Sequence, residues 1–110
     1  MKSNAKYLSS GPVVAMVWQG AGAVELVRKI TGSTAPSLAD VGTIRGDFTL
    51  DSYALADTDQ RSIRNLIHAS GTPDEAALEI PIWFKANELL DYRLILEQIL
   101  YDVNLDGILE

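Results

Sequence analysis

The chain has 110 residues, 47% hydrophobic and 22% charged, with a net charge of −6 and no cysteine. That length supports one core, so residues 1–110 read as a single soluble domain. The acidic balance argues against general polyanion binding, the lack of cysteine excludes disulfides and thiolate chemistry, and the apolar run at 12–18 is too short to span a bilayer.

Residues 1–10 are polar without a clear period, a helical remnant or a loose lead-in. Residues 12–18 (PVVAMVW) form a β-branched run between Ser9-Ser10-Gly11 and Gln19-Gly20, with the length and flanks of a buried strand. Residues 23–30 place Val24, Val27 and Ile30 close to one face, an amphipathic helix that Gly32 ends by taking the left-handed conformation. Residues 34–42 read as a loop with a short helical turn, opened by Pro36 and Ser37 and closed by Gly42. Residues 43–48 are compact and turn-like. Residues 49–60, with three aspartates after Leu50, read as a polar surface excursion. Residues 62–68 are a candidate strand with Ile63, Leu66 and Ile67 apolar.

Thr72-Pro73-Asp74-Glu75 then opens a helix. Threonine caps, proline fills the first turn, acids sit at the positive dipole end, and Glu75 completes a capping box. This helix runs to about Phe84. A turn at 87–92 and a helix at 94–101 follow, the latter ended by Asn104-Leu105-Asp106-Gly107. There is no internal repeat. Met1-Lys2-Ser3-Asn4 opens no long apolar core, so no secretory signal is read and a cytoplasmic setting is expected.

His68 is the only histidine. An imidazole can be a nucleophile or general base near neutrality, or a buried group with its hydrogen bonds satisfied, and the second case is commoner. The candidate groups beside it are Arg28, Thr34, Arg45, Asn65 and Glu79. Phosphoryl transfer needs cations and donors around the migrating group and an in-line nucleophile, which this set could supply. Glu79 could orient the imidazole. Plainer readings exist for each: Arg28 as a solvated helix cation, Arg45 in a salt bridge with Asp47, Asn65 as a turn cap, Glu79 as a solvated acid. Trp18, Trp83 and Phe84 read as core. The aspartates suggest no metal site, and the faint calcium-loop echo at 102–107 has Val103 and Leu105 at alternate positions.

Three blocks carry a resemblance: Ser-Gly-Pro-Val-Val-Ala-Met-Val-Trp at 10–18, Gly-Thr-Ile-Arg-Gly-Asp-Phe at 42–48 and Asn-Leu-Ile-His-Ala-Ser at 65–70. They resemble signature blocks of nucleoside diphosphate kinases, in that family's order. Arg28 with Gly32-Ser33-Thr34, Glu79-Ile80, Trp83-Phe84 and Glu88-Leu89-Leu90-Asp91-Tyr92 extend the match over most of the chain from Tyr7 to Tyr92. The resemblance implies an α+β fold: a partial ferredoxin-like α/β sandwich, an antiparallel sheet with helices, lacking the family's first strands. It implies a ping-pong kinase acting on nucleoside di- and triphosphates. His68 would be the phosphorylated nucleophile, Glu79 would orient it, and Ser70 would join the same network. Arg28, Thr34 and Arg45 would bind phosphates, and Asn65 the sugar and nearby phosphate oxygens. Mg²⁺ would be held through the nucleotide, with no metal site on the protein. A cytoplasmic homo-oligomer with no membrane or specific nucleic-acid partner is expected.

Two features depart from the family pattern. Residues 49–63 are longer than the usual link and read as a solvated loop, with a lid as the sharper alternative. The family's front portion, with its Lys-Pro-Asp lysine on the γ-phosphate, a helical tyrosine and a base-stacking aromatic, has no counterpart here. Lys2, Lys6, Lys29 and Lys85 lack its context, as Tyr7 and Tyr53 lack that of the tyrosine. The family's first strand lies between the two strands expected at 12–18 and 62–68. Their open edges imply a chain that is unstable, rearranged or self-associating unless a segment in trans supplies the front. The second functional reading is a non-catalytic nucleotide-binding or oligomerisation module.

Overall fold

The computed structural model describes residues 2–101 and Asp106. In chain order it forms α1 (Lys2–Leu8), α2 (Ala23–Thr31), a 3₁₀ turn (Pro36–Leu38), α3 (Ile44–Phe48), α4 (Tyr53–Thr58), α5 (Pro73–Trp83), a second 3₁₀ turn (Ala86–Glu88) and α6 (Glu97–Tyr101). The helix stop expected at 104–107 and the calcium-loop echo at 102–107 lie outside the described residues, apart from Asp106.

The helix ends follow the local chemistry of the sequence. Gly32 closes α2 at φ 90°, its N–H donating to the Arg28 carbonyl. The Thr43 hydroxyl caps α3 by accepting the Gly46 N–H at 3.1 Å. The Thr72 hydroxyl caps α5 through Glu75 N–H at 3.1 Å. The reciprocal half of the expected capping box is displaced by one residue: the Glu75 carboxylate takes the Gly71 N–H at 2.7 Å. The lead-in is helical as α1, and the turn-like block at 43–48 is a short capped helix.

The expected antiparallel sheet is not confirmed: no β-strand occurs among the described residues, neither at 12–18 nor at 62–68. A strand is stabilised by its neighbour's ladder, and neither segment has one. Residues 12–18 are exposed, and no backbone–backbone hydrogen bond engages them among the described residues. At 62–68 the backbone groups are taken by side chains: Asp51 accepts Arg64 N–H, Tyr7 accepts Leu66 N–H, and Arg45 donates to the Asn65 and Ile67 carbonyls.

The polar excursion is also more anchored than a solvated loop. Asp51 is buried, and its carboxylate holds the Arg61 guanidinium at 2.6 and 3.0 Å, the Arg64 N–H at 2.7 Å and the Ser52 N–H at 3.0 Å. Its backbone carbonyl accepts the Ser37 N–H at 3.0 Å. One aspartate thus closes the loop carrying α4 and ties it to the chain leading to His68.

Apolar burial is slight. Ala35 and Ala56 are the buried hydrophobic residues among those described, while Val14 is 85% exposed and Ile82 75%. The radius of gyration is 17.4 Å, against about 13 Å for a compact chain of this length. Apolar faces of α2 and α5 therefore line an open cleft instead of a closed core. No helix among the described residues is long and apolar enough to cross a membrane.

The Arg61 guanidinium and then the Arg64 N–H hold the Asp51 carboxyl well below the usual carboxylate range. A group depressed in this way stabilises the structure above its unfolded pKa, about 3.9, and the contribution fades as pH falls towards the folded value. Exchange protection of the α4 amides, corrected for the intrinsic pH dependence of exchange, is expected to decline below about pH 4. Asp51→Asn is expected to lower that protection at neutral pH and to flatten its acid dependence.

Candidate active site

The histidine follows a tight backbone reversal. Ile67 N–H donates to the Asn65 carbonyl at 2.8 Å, and Leu66 between them has φ 71°. An i to i+2 bond about a residue with positive φ is a γ-turn of the strained type, disfavoured for a branched L-residue. It persists only because neighbours fix it.

Arg45 supplies most of that fixing. The residue is 5% exposed, and its guanidinium donates from Nε to the Asn65 carbonyl at 3.1 Å, from Nη1 to the Gly32 carbonyl at 3.1 Å and from Nη2 to the Ile67 carbonyl. Three of its five N–H donors are committed to backbone, and two remain. Burial, and then the nearby charge of Arg28, lower its pKa from the ordinary value, yet a guanidinium stays cationic in proteins. The plainer reading of Arg45 as the partner of Asp47 is corrected. The Asp47 carboxylate takes the Gly42 N–H at 2.8 Å instead.

Beyond the turn, His68 Nε2 lies 2.9 Å from Glu79 Oε2 on α5, and the Ser70 hydroxyl donates to the same oxygen at 2.6 Å. The Ser70 hydroxyl, then the His68 ring, hold the Glu79 carboxyl below its ordinary range, so it is ionised at neutral pH. An ionised carboxylate only accepts, so Nε2 is the donor in this contact, and in the neutral imidazole the lone pair is then on Nδ1. The imidazole is 61% exposed and faces an open cleft of about 580 Å³ that Asn65, Ser70 and Glu79 also line. The rest of that lining is largely apolar, with Val14 and Trp18 on one side and Ile67, Ile80 and Trp83 on others.

Arg28 reaches the same region from α2, donating to the Ala69 carbonyl at 3.1 Å beside His68. Six of the seven expected site residues therefore converge: Arg28, Arg45, Asn65, His68, Ser70 and Glu79. Thr34 does not join them. It lies exposed in the loop before Pro36–Leu38 and makes no hydrogen bond to the others among the described residues. The sequence reading missed Tyr7, whose hydroxyl accepts the Leu66 N–H at 3.1 Å. No local pattern marks that contact, which spans 59 residues.

Lysine at position 45 can place one ammonium but cannot fork across three carbonyls. Arg45→Lys is expected to speed exchange of the Ile67 amide by about 10-fold, the worth of one or two hydrogen bonds. An unchanged rate would mean that the turn does not depend on the guanidinium.

The family model described as nucleoside diphosphate kinase matches residues 1–89. A nucleoside diphosphate kinase of Pyrobaculum aerophilum is 50% identical over 90 residues, covering 82% of this chain and 49% of its own length. The crystal structure of an NDP kinase from that organism superposes with a TM-score of 0.80 at 49% identity, over 82% of this chain and 50% of that one. A transition-state mimic of the Borrelia burgdorferi nucleoside-diphosphate kinase, with bound vanadate and ADP, gives 0.70 at 48% identity over 73% of this chain and 48% of that one. These neighbours support a nucleoside diphosphate kinase fold for the segment they cover. The chain spans about half the length of the curated relatives it matches.

Proposed function

This chain belongs to the nucleoside diphosphate kinase family, and from that premise we propose that it is a phosphotransferase working through a phosphohistidine at His68. The observation that carries the proposal is the contact of Nε2 with an ionised Glu79 on a ring that lines the cleft; in the neutral ring this contact puts the lone pair on Nδ1. In the first half-reaction Nδ1 attacks the γ-phosphorus of a nucleoside triphosphate. The N–P bond forms as the bridging P–O bond breaks, and the diphosphate leaves with the electron pair. In the second half-reaction a terminal phosphate oxygen of a nucleoside diphosphate attacks the same phosphorus, and the pair returns to Nδ1. Glu79 keeps the ring in one tautomer and offsets the positive charge it gains on phosphorylation. Arg28, with donors to spare beside His68, and the two uncommitted N–H groups of Arg45 bind phosphate oxygens. Asn65, which lines the cleft, takes the sugar and nearby phosphate oxygens, while Thr34 stands apart from the cluster and would reach a phosphate only at its edge.

Mg²⁺ carried on the nucleotide supplies charge neutralisation to its phosphates. No group of three acidic or imidazole side chains among the described residues is arranged to hold a metal directly. Residues 1–110 act as one unit in a cytoplasmic homo-oligomer, a reading supported by the cysteine-free sequence and the exposed apolar side chains. The cleft between residues 12–18 and 65–70 takes an extended apolar segment from the half of the relatives' length that this chain does not match. Its apolar lining and the unpaired backbone at 12–18 support that completion. The same exposed apolar surface favours the second reading, a non-catalytic nucleotide-binding or oligomerisation module.

Incubation with γ-³²P-labelled ATP separates the two. Acid-labile, alkali-stable label on the wild type, lost in His68→Ala, is the expected result. The unmatched half of the Pyrobaculum relative, added as a separate polypeptide, is expected to raise the rate by about 10²-fold or more, the usual worth of restored transition-state donors. No label with or without that addition would support the module instead.

A further inference from the structure

The γ-turn before His68 is held from two directions, and only one belongs to the phosphate-binding set. Arg45 secures its two carbonyls, at Asn65 and Ile67. The central N–H, that of Leu66, points to α1, where the Tyr7 hydroxyl accepts it at 3.1 Å. Tyr7 is half-buried, and its own backbone is fixed in turn. The Ser10 hydroxyl donates to the Tyr7 carbonyl at 2.6 Å, and the Ser9 hydroxyl to the Ala5 carbonyl at 2.8 Å. The phenol is therefore presented from a closed helix end.

We propose that Tyr7 is a positioning residue for the imidazole: by accepting the Leu66 N–H it holds the strained turn in the shape that delivers His68 to Glu79. The argument is geometric. A leucine at φ 71° reverts to an ordinary conformation when its neighbours let go. Reversion rotates the following peptide and swings His68, two residues on, away from α5. Arg45 alone fixes the carbonyls but leaves the Leu66 N–H without a protein acceptor to hold it in this geometry. The proposal builds on phosphorylation of His68 for its kinetic consequence, while the geometric claim stands apart from it.

The test is a double-variant cycle of Tyr7→Phe and Leu66→Gly, in which glycine adopts positive φ without strain and so needs no clamp. Tyr7→Phe is expected to slow label uptake by His68 about 3–10-fold, the scale of one hydrogen bond. Adding Leu66→Gly to Tyr7→Phe is expected to restore it to within about twofold. A Tyr7→Phe rate equal to wild type overturns the proposal. So does a slow rate that Leu66→Gly fails to rescue, since that would assign Tyr7 to helix packing. Where the wild type takes no label, the kinase reading fails separately, and NMR decides the geometry. The His68 ring signals are expected to move in Tyr7→Phe and return in the double variant; signals that stay put overturn the inference.

Discussion

One buried cation organises this chain. The Arg45 guanidinium joins the end of α2, through the Gly32 carbonyl, to both carbonyls of the turn before His68. A buried cation without partners would be expensive, so the three segments close around it or not at all. Its own placement comes from α3, which Thr43 caps and which packs closely against its preceding loop. A Cβ at Gly46 would collide with the Asp40 carbonyl oxygen. From this knot the imidazole, the Glu79 carboxylate and the Ser70 hydroxyl take their positions.

The parts of the structure governed by neighbours in sequence were legible. Threonine caps at 43 and 72, the glycine stop at 32 and the Pro-Asp-Glu start at 73–75 each act within one helical turn, so pattern and outcome agree. The strands expected at 12–18 and 62–68 are not seen among the described residues because β structure is a relation between distant segments. Their side-chain patterns are strand-like, but no neighbouring strand pairs with them, and Tyr7, Asp51 and Arg45 take the backbone groups at 64–67. Composition made residues 49–60 look solvated. It gave no sign that Asp51 would be buried on Arg61, because a partner ten residues away leaves no local mark. Most of the site was legible through motif resemblance. Thr34 has the expected residue type but stands apart from the cluster, and Tyr7 belongs to the cluster without any motif to announce it.

The same arrangement explains why the site is ordered while the apolar faces are not closed. Polar contacts gather Gly32, Arg45, the 65–67 turn and α5 without needing a large core. The apolar sides of α2 and α5 instead face the cleft, beside the unpaired 12–18 segment. Hydrophobic burial is the main source of folding stability, and this geometry leaves the apolar sides of α2 and α5 uncovered beside the candidate site.

The most direct measurement is solvent exchange of the Arg45 Nε–H, followed by NMR beside that of Arg93, whose side chain is 71% exposed. A guanidinium buried on the Asn65 carbonyl should exchange at least about 10-fold more slowly than the exposed one. Equal rates for the two arginines would contradict the burial of Arg45 on the turn before His68.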